Sequence, residues 1–261
     1  MKREAEKELF FYNKTGQVTL FIIIAIVIVA AGVLVYVFYP QISSTLGVGE
    51  QDPNSFIQNC VEDTIEDTVE LVSMQGGSFE PENFFTYNDV KIEYLCYTEE
   101  NYKTCVIQQP LLRQHVESEI KTEIEPTVRN CFNELKSSFE DRGYDVTMRE
   151  GDVNVKLLPE RIISTFNYTV TLTRTETQRY ESFSVVLNNN LYELINIANS
   201  ILEWEATYGD ADPRGYMTYY PNLKVDKNLR DDGTRIYTLS NRDSGDKFQF
   251  STKSVVFPPG Y

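Results

Sequence analysis

Residues 20–38 read LFIIIAIVIVAAGVLVYVF, 19 positions without one charged or strongly polar side chain. At about 1.5 Å of rise per residue, a helix of this length matches a hydrocarbon core of roughly 30 Å. A buried helix of a soluble protein rarely goes five turns without a polar position. A cleavable secretory signal has a shorter apolar core, about 7–15 residues. The stretch therefore predicts one membrane-spanning helix over 17–39, after a leader at 1–16 and before a tether at 40–52. Everything from residue 53 to 261 reads as a water-facing globular body.

The flanks set the orientation. Lys2, Arg3, Lys7 and Lys14 precede the span, and the next Lys or Arg is Lys91. Basic residues are retained on the cytoplasmic side, so the N-terminus is expected inside and the C-terminal body outside the cell membrane. All four cysteines, Cys60, Cys96, Cys105 and Cys131, fall on that outer side, where thiols oxidise. Three pairings are open to four cysteines. The favoured one joins Cys96 to Cys105, because the YLC and CVI segments flank a short polar turn, and leaves Cys60 with Cys131 to join two helices. A zinc site would need close Cys pairs with histidine nearby, and the sequence has neither.

The net charge of −15 argues against a phosphate backbone as partner, so no nucleic acid is expected. No glycine pattern forms a nucleotide-binding loop, and no cofactor is implied. His115 is the only histidine and lies on a helical stripe, read as an ordinary helix position. Carboxylate neighbours such as Glu99 and Glu100, or Asp231 and Asp232, define no separation across a cleft. Asp210, Asp212, Asp243 and Asp246 lie near glycines but lack the alternating ligands of a calcium loop, so no metal site is assigned. No catalytic residue is assigned, and the chain is read as a non-enzyme. Asn167-Tyr168-Thr169 fits the N-glycosylation acceptor pattern on the outer side. Tyr216, Tyr219 and Tyr220, beside Pro221, form the candidate interaction edge, since tyrosines offer contact area at low entropic cost.

Element signals give an α+β body of antiparallel β-hairpins with packed amphipathic helices. A helix opens at Asp52-Pro53 and stops at Gly76-Gly77; its apolar positions are Phe56, Cys60, Ile65, Val69 and Val72, against an acidic stripe. The strongest periodicity runs from Leu112 to Phe139, with Pro126 expected to kink or interrupt it. Val90–Tyr97 with 104–108 is expected as a first hairpin, and 144–148 with Val153–Leu158 around Glu150-Gly151-Asp152 as a second. Strands follow over 166–175 and 180–187, a helix over 191–204, and short strands near 216–220, 234–239 and 247–257.

Lys14-Thr15-Gly16-Gln17, followed directly by Val18-Thr19-Leu20-Phe21-Ile22, resembles the class III signal peptides of archaeal type IV pilin-like proteins. The resemblance implies that a prepilin-type peptidase cuts between Gly16 and Gln17, freeing the apolar helix for anchoring or assembly. The rest of the chain, with its YLC turn-cysteine segment, its LYELINIANSIL helix and the closing FQFSTKSVVFPP, resembles uncharacterised archaeal membrane-anchored envelope proteins, a likeness that implies no activity. Many pilins carry glutamate at the fifth position after the cut, where this chain has Phe21, and Pro40 breaks the helix before the body. The leading expectation is thus a single-pass surface protein with a structural, adhesive or envelope-interaction role, in contact with membrane lipid, envelope proteins or copies of itself. The alternatives are a pilin-like filament subunit processed after Gly16, and an extracytoplasmic hydrolase or ligand sensor built on converging carboxylates.

Overall fold

The structure, a computed structural model, describes residues 28, 29 and 52–256. The leader, the Gly16–Gln17 processing pair, the tether up to residue 51 and all of the apolar segment except Ile28 and Val29 lie outside the described residues. So does the end of the chain, 257–261. Among the described residues no helix is long and apolar enough to cross a membrane.

Helix α1 spans Pro53–Met74. Proline suits its first position because the missing N–H would have had no intrahelical acceptor there. Ile57, Val61, Ile65, Val69 and Val72 are buried on one stripe, so two residues absent from the sequence stripe, Ile57 and Val61, carry its N-terminal half. Gly76 and Gly77, at φ +88° and +107°, end the helix, and a Cβ at Gly76 would lie 2.8 Å from that of Glu93. Helix α2 spans Leu112–Asp141 and buries the expected apolar stripe from Leu112 to Phe139. It runs uninterrupted through Pro126, in contrast to the break allowed for. Pro126 faces solvent, where water can take the carbonyl its ring leaves unpaired, while Ile124 and Val128 on either side are fully buried and hold the turn in place.

The first sheet pairs β1 (Phe84–Tyr87), β2 (Val90–Tyr97), β12 (Lys247–Lys253), β11 (Thr234–Asn241) and β10 (Leu223–Leu229) in that order, with β3 (Val106–Ile107) also on β2. The sequence pattern missed β1 and β10. Asn88 and Asp89, both at positive φ, close a two-residue turn that makes β1, rather than β3, the longer antiparallel partner of β2. The expectation of antiparallel pairing holds for every strand pair but one: β12 runs parallel to β2, with Ser251 opposite Tyr94. Parallel partners need a long connection, and here it is most of the body.

Strands β4 (Asp145–Arg149), β5 (Val153–Leu158), β6 (Arg161–Phe166), β7 (Thr169–Thr173), β8 (Thr177–Tyr180) and β9 (Phe183–Asn188) make two three-stranded antiparallel sheets, β4-β7-β8 and β5-β6-β9. The expected hairpin of β4 with β5 does not form. Instead β4 pairs with β7 and β5 with β6, so the run 145–158 lies opposite the run 161–173. Glu150-Gly151-Asp152 is therefore a break within one long strand, three residues facing Asn167-Tyr168. Asn167 donates its N–H to the carbonyl of Asp152 across it at 3.0 Å. The triplet has turn composition, but its glycine serves close backbone approach rather than chain reversal. The reversal comes at Pro159-Glu160.

Helix α3 (Leu191–Tyr208) packs on β12, β11, β2 and β3 on one side and reaches β5 and β6 on the other. Residues 216–220, expected as a strand, instead form most of a short helix, α4 (Arg214–Tyr219). Buried residues of α1, α2 and α3 and of β2, β4–β7 and β9–β12 belong to one core. Two disulfides brace it: Cys60–Cys131 ties α1 to α2, and Cys96–Cys105 closes the loop between β2 and β3.

Candidate functional site

Three places gather polar chemistry, and the first involves the lone histidine. Glycines 76 and 77 let the chain turn tightly off α1, and the Gln75 side chain then donates to the carbonyls of Ser78 and Phe79. This sets Ser78 Oγ against the carboxylate of Glu93 on β2 and 2.8 Å from His115 Nε2 on α2. Glu119, one turn further along α2, accepts the N–H of Phe79 at 2.9 Å. Sequence reasoning left His115 as an ordinary helix position; no local signal connects it to a serine 37 residues away.

A serine against a histidine is the pairing used for nucleophilic attack. Here the carboxylate sits on the serine, whereas a catalytic triad places it on the histidine. While Glu93 is ionised it can only accept, so the one hydroxyl hydrogen of Ser78 points to Glu93, and His115 Nε2 must bring its own proton. In that ionisation state His115 does not act as the base for Ser78. Burial pushes the Glu93 carboxyl above the usual range, opposed by Ser78, the His115 charge and Gln109, and reinforced by Glu119. The residues Ser78 and Glu93 are themselves buried. The arrangement is a hydrogen-bonded latch joining the turn after α1 to β2 and α2.

The second place is internal. Glu205 on α3 is fully buried, accepts the hydroxyl of Tyr237 and takes the N–H of Ala211 at 3.1 Å. Arg235 lies 3.6 Å from its other oxygen and 3.1 Å from Asp210, which also holds Lys227. Burial drives the Glu205 carboxyl upward despite the cations, and burial with the Glu205 charge drives the Tyr237 hydroxyl strongly upward. This network fastens the loop after α3 to β10 and β11. It also accounts for Asp210; Asp212 is taken by Arg214, and Asp246 by Asn189, Asn190 and Ser244. Among the described residues no group of three His, Cys, Asp or Glu is placed to hold a metal ion.

The third place is the tyrosine edge. It is the end of α4 rather than a strand edge. Tyr216 turns inward, its hydroxyl 2.8 Å from Ser200 Oγ on α3, whereas Tyr219 is 83% and Tyr220 54% exposed. Trp204 and Tyr208, one and two turns beyond Ser200, are also exposed, with ring centroids 4.8 Å apart. The sequence reading missed this pair, although two large aromatics off the apolar stripe of an amphipathic helix were the available signal. Between α3 and the segment after α4 lies a pocket of about 270 Å³, with Tyr220 on its rim. A wider cleft of about 410 Å³ separates the end of α1 from the β11–β12 turn, lined by Glu66 and Glu70 on the helix side and Asp246 and Lys247 on the turn side.

Of the other sequence candidates, Asn167 is exposed at the break in the meander, while Tyr168 beside it is buried and stacked on Phe132 at 4.1 Å. Glu99 accepts the hydroxyl of Tyr97 and, with burial, pushes that phenol up to about 12; Glu100 pairs with Lys103. Asp232 caps its own turn through the N–H and hydroxyl of Thr234. No family model, curated protein or solved structure matches the chain.

Proposed function

We propose that the chain is a single-pass surface protein of the cell membrane, N-terminus in the cytoplasm, whose non-enzymatic α+β head works outside by binding envelope components, cells or other copies of itself. The observation that carries this reading is the state of the cysteines: all four are closed into two disulfides, bonds that persist in oxidising compartments. The uncharged run from Gln17 to Gly49, with its basic residues only on the leading side, supplies the anchor and its direction. The exposed aromatics Trp204, Tyr208, Tyr219 and Tyr220 supply a contact surface, and Asn167 an accessible acceptor for a glycan.

The test is fractionation of cells making the native chain, followed by protease treatment of intact cells. The head should be retained by carbonate-washed membranes and be shaved from outside, with no thiol alkylated before reduction. A chain found in the soluble cytosol with free thiols overturns the reading.

The segment Lys14-Thr15-Gly16-Gln17 before the apolar run favours a second reading, a pilin-like filament subunit that a prepilin-type peptidase processes. Mass spectrometry of the mature N-terminus separates the two. A chain beginning at Gln17 supports processing, and one that retains residues 1–16 excludes it.

A further inference from the structure

We propose that the pocket beside Tyr220 binds a neutral sugar ring. Its floor is apolar, built from Leu194 and Ile197 of α3 and Leu223 of β10, and the half-exposed ring of Tyr220 stands on the rim. At about 270 Å³ it lies below the range of drug-sized pockets and suits a single ring. A pyranose has a C–H face that packs on such apolar and aromatic surface and an edge of hydroxyls that needs hydrogen-bonding partners around it.

The rim supplies those partners with fixed polarity. Asn190 spends its NH₂ on Asp246, at 2.9 Å, and on Ser244, at 3.1 Å, which leaves its carbonyl as an acceptor. Asn241 has the opposite sense: its carbonyl oxygen accepts the N–H groups of Asp243 and Ser244, leaving its NH₂ as a donor. Asn190 and Asn241 are among the lining residues, along with Asn196 and Asn222. Hydroxyls both donate and accept, so adjacent ones are matched by alternating acceptor and donor amides. Glu193, also lining the pocket, gives Oε1 to the N–H of Glu160 at 3.1 Å, while its Oε2 is buried and meets no donor among the described residues. Glu193 is the only charged group in the lining, which favours a neutral polyol over a cation held by several carboxylates.

This deepens the binding reading proposed above and rests on it only for the source of the sugar, an envelope polysaccharide or the glycan of a surface protein. The experiment uses the full chain in a detergent without a sugar headgroup, titrated with methyl glycosides of hexoses and N-acetylhexosamines and followed by saturation-transfer NMR and calorimetry. At least one glycoside is expected to bind, about tenfold more weakly to Tyr220→Ala and to Asn241→Asp, which keeps the acceptor of the turn and removes the donor. Tyr219→Ala, outside the pocket, should bind as the parent does. Competition by polysaccharide fragments or by glycopeptides from the same envelope then tells the two sources apart. Absence of binding by every glycoside, equal binding by all three variants, or binding of tetramethylammonium in place of glycosides overturns the proposal. A membrane-bound chain that takes no sugar sinks this inference alone, and a soluble cytosolic chain that takes one sinks only the anchored reading.

Discussion

Gly151 lies against the backbone of Asn167, so close that a Cβ at residue 151 would sit 2.0 Å from the Asn167 carbonyl oxygen. The contact holds the break at which β4 continues into β5 opposite β6 and β7. Neither backbone can retreat, because Asn167 is already bonded to Asp152. Gly151→Ala should therefore cost more than about 2 kcal/mol, the range of overpacked sites, measured as a lower urea midpoint. An unchanged midpoint would show that the two halves of the meander are free to slide.

The disulfides should differ in weight. Cys60–Cys131 spans 71 residues and Cys96–Cys105 spans 9. Constraint of the unfolded chain alone gives about 4 kcal/mol for the first and about 2.5 kcal/mol for the second. Thermal unfolding of the Cys60→Ala/Cys131→Ala and Cys96→Ala/Cys105→Ala variants should rank them in that order. The reverse ranking would locate the effect in the native state.

Glu93 predicts a pH dependence of definite sign. Burial raises its folded value above that of the unfolded chain, so its contribution to stability is fully present below the ordinary glutamate range and is lost as pH rises through the raised value. Ser78, His115, Gln109 and Glu119 all act on it, so the informative quantity is the difference between the parent and Glu93→Gln. The variant should gain on the parent as pH rises from the ordinary glutamate range toward neutrality, in chemical denaturation at successive pH values. A constant difference would mean that Glu93 does not titrate differently in the two states.

Removing Glu205 should be severe. Glu205→Ala strands the buried Tyr237 hydroxyl and withdraws a carboxylate from Arg235, and breaking such a pair costs about 3–5 kcal/mol. Glu205→Gln keeps an acceptor for Tyr237 and Ala211 and should cost clearly less. Equal losses in urea unfolding would mean that charge, rather than the acceptor, holds the loop after α3.

Much of the helical framework could be read along the chain. The stripe from Leu112 to Phe139 identified the buried face of α2 because one side of a helix alternates between core and water every three or four residues. Gly76-Gly77 marked the end of α1 because both need left-handed backbone. The alternation from Val153 to Leu158 appears unchanged in the burial of β5. Pro126 does not interrupt α2, since an isolated proline effect is local and Ile124 and Val128 on either side are buried.

The sites were much less legible. Ser78, Glu93 and His115 come from a turn, a strand and a helix, while Asn190 precedes α3, Tyr220 follows α4 and Asn241 ends β11. Their separation along the chain leaves no spacing to recognise.

What the sequence determined by itself was the apolar run with its one-sided basic flank, the even set of cysteines beyond it, and the periods that mark α1, α2 and α3. What only the tertiary structure decided was the pairing: β5 with β6 instead of β4, β12 parallel to β2, and the latch and pocket that those pairings assemble. The physical reason is one of range. Periodicity and backbone preference are properties of contiguous residues, whereas a strand's partner is chosen by the burial of the whole core, and a site inherits its geometry from that choice.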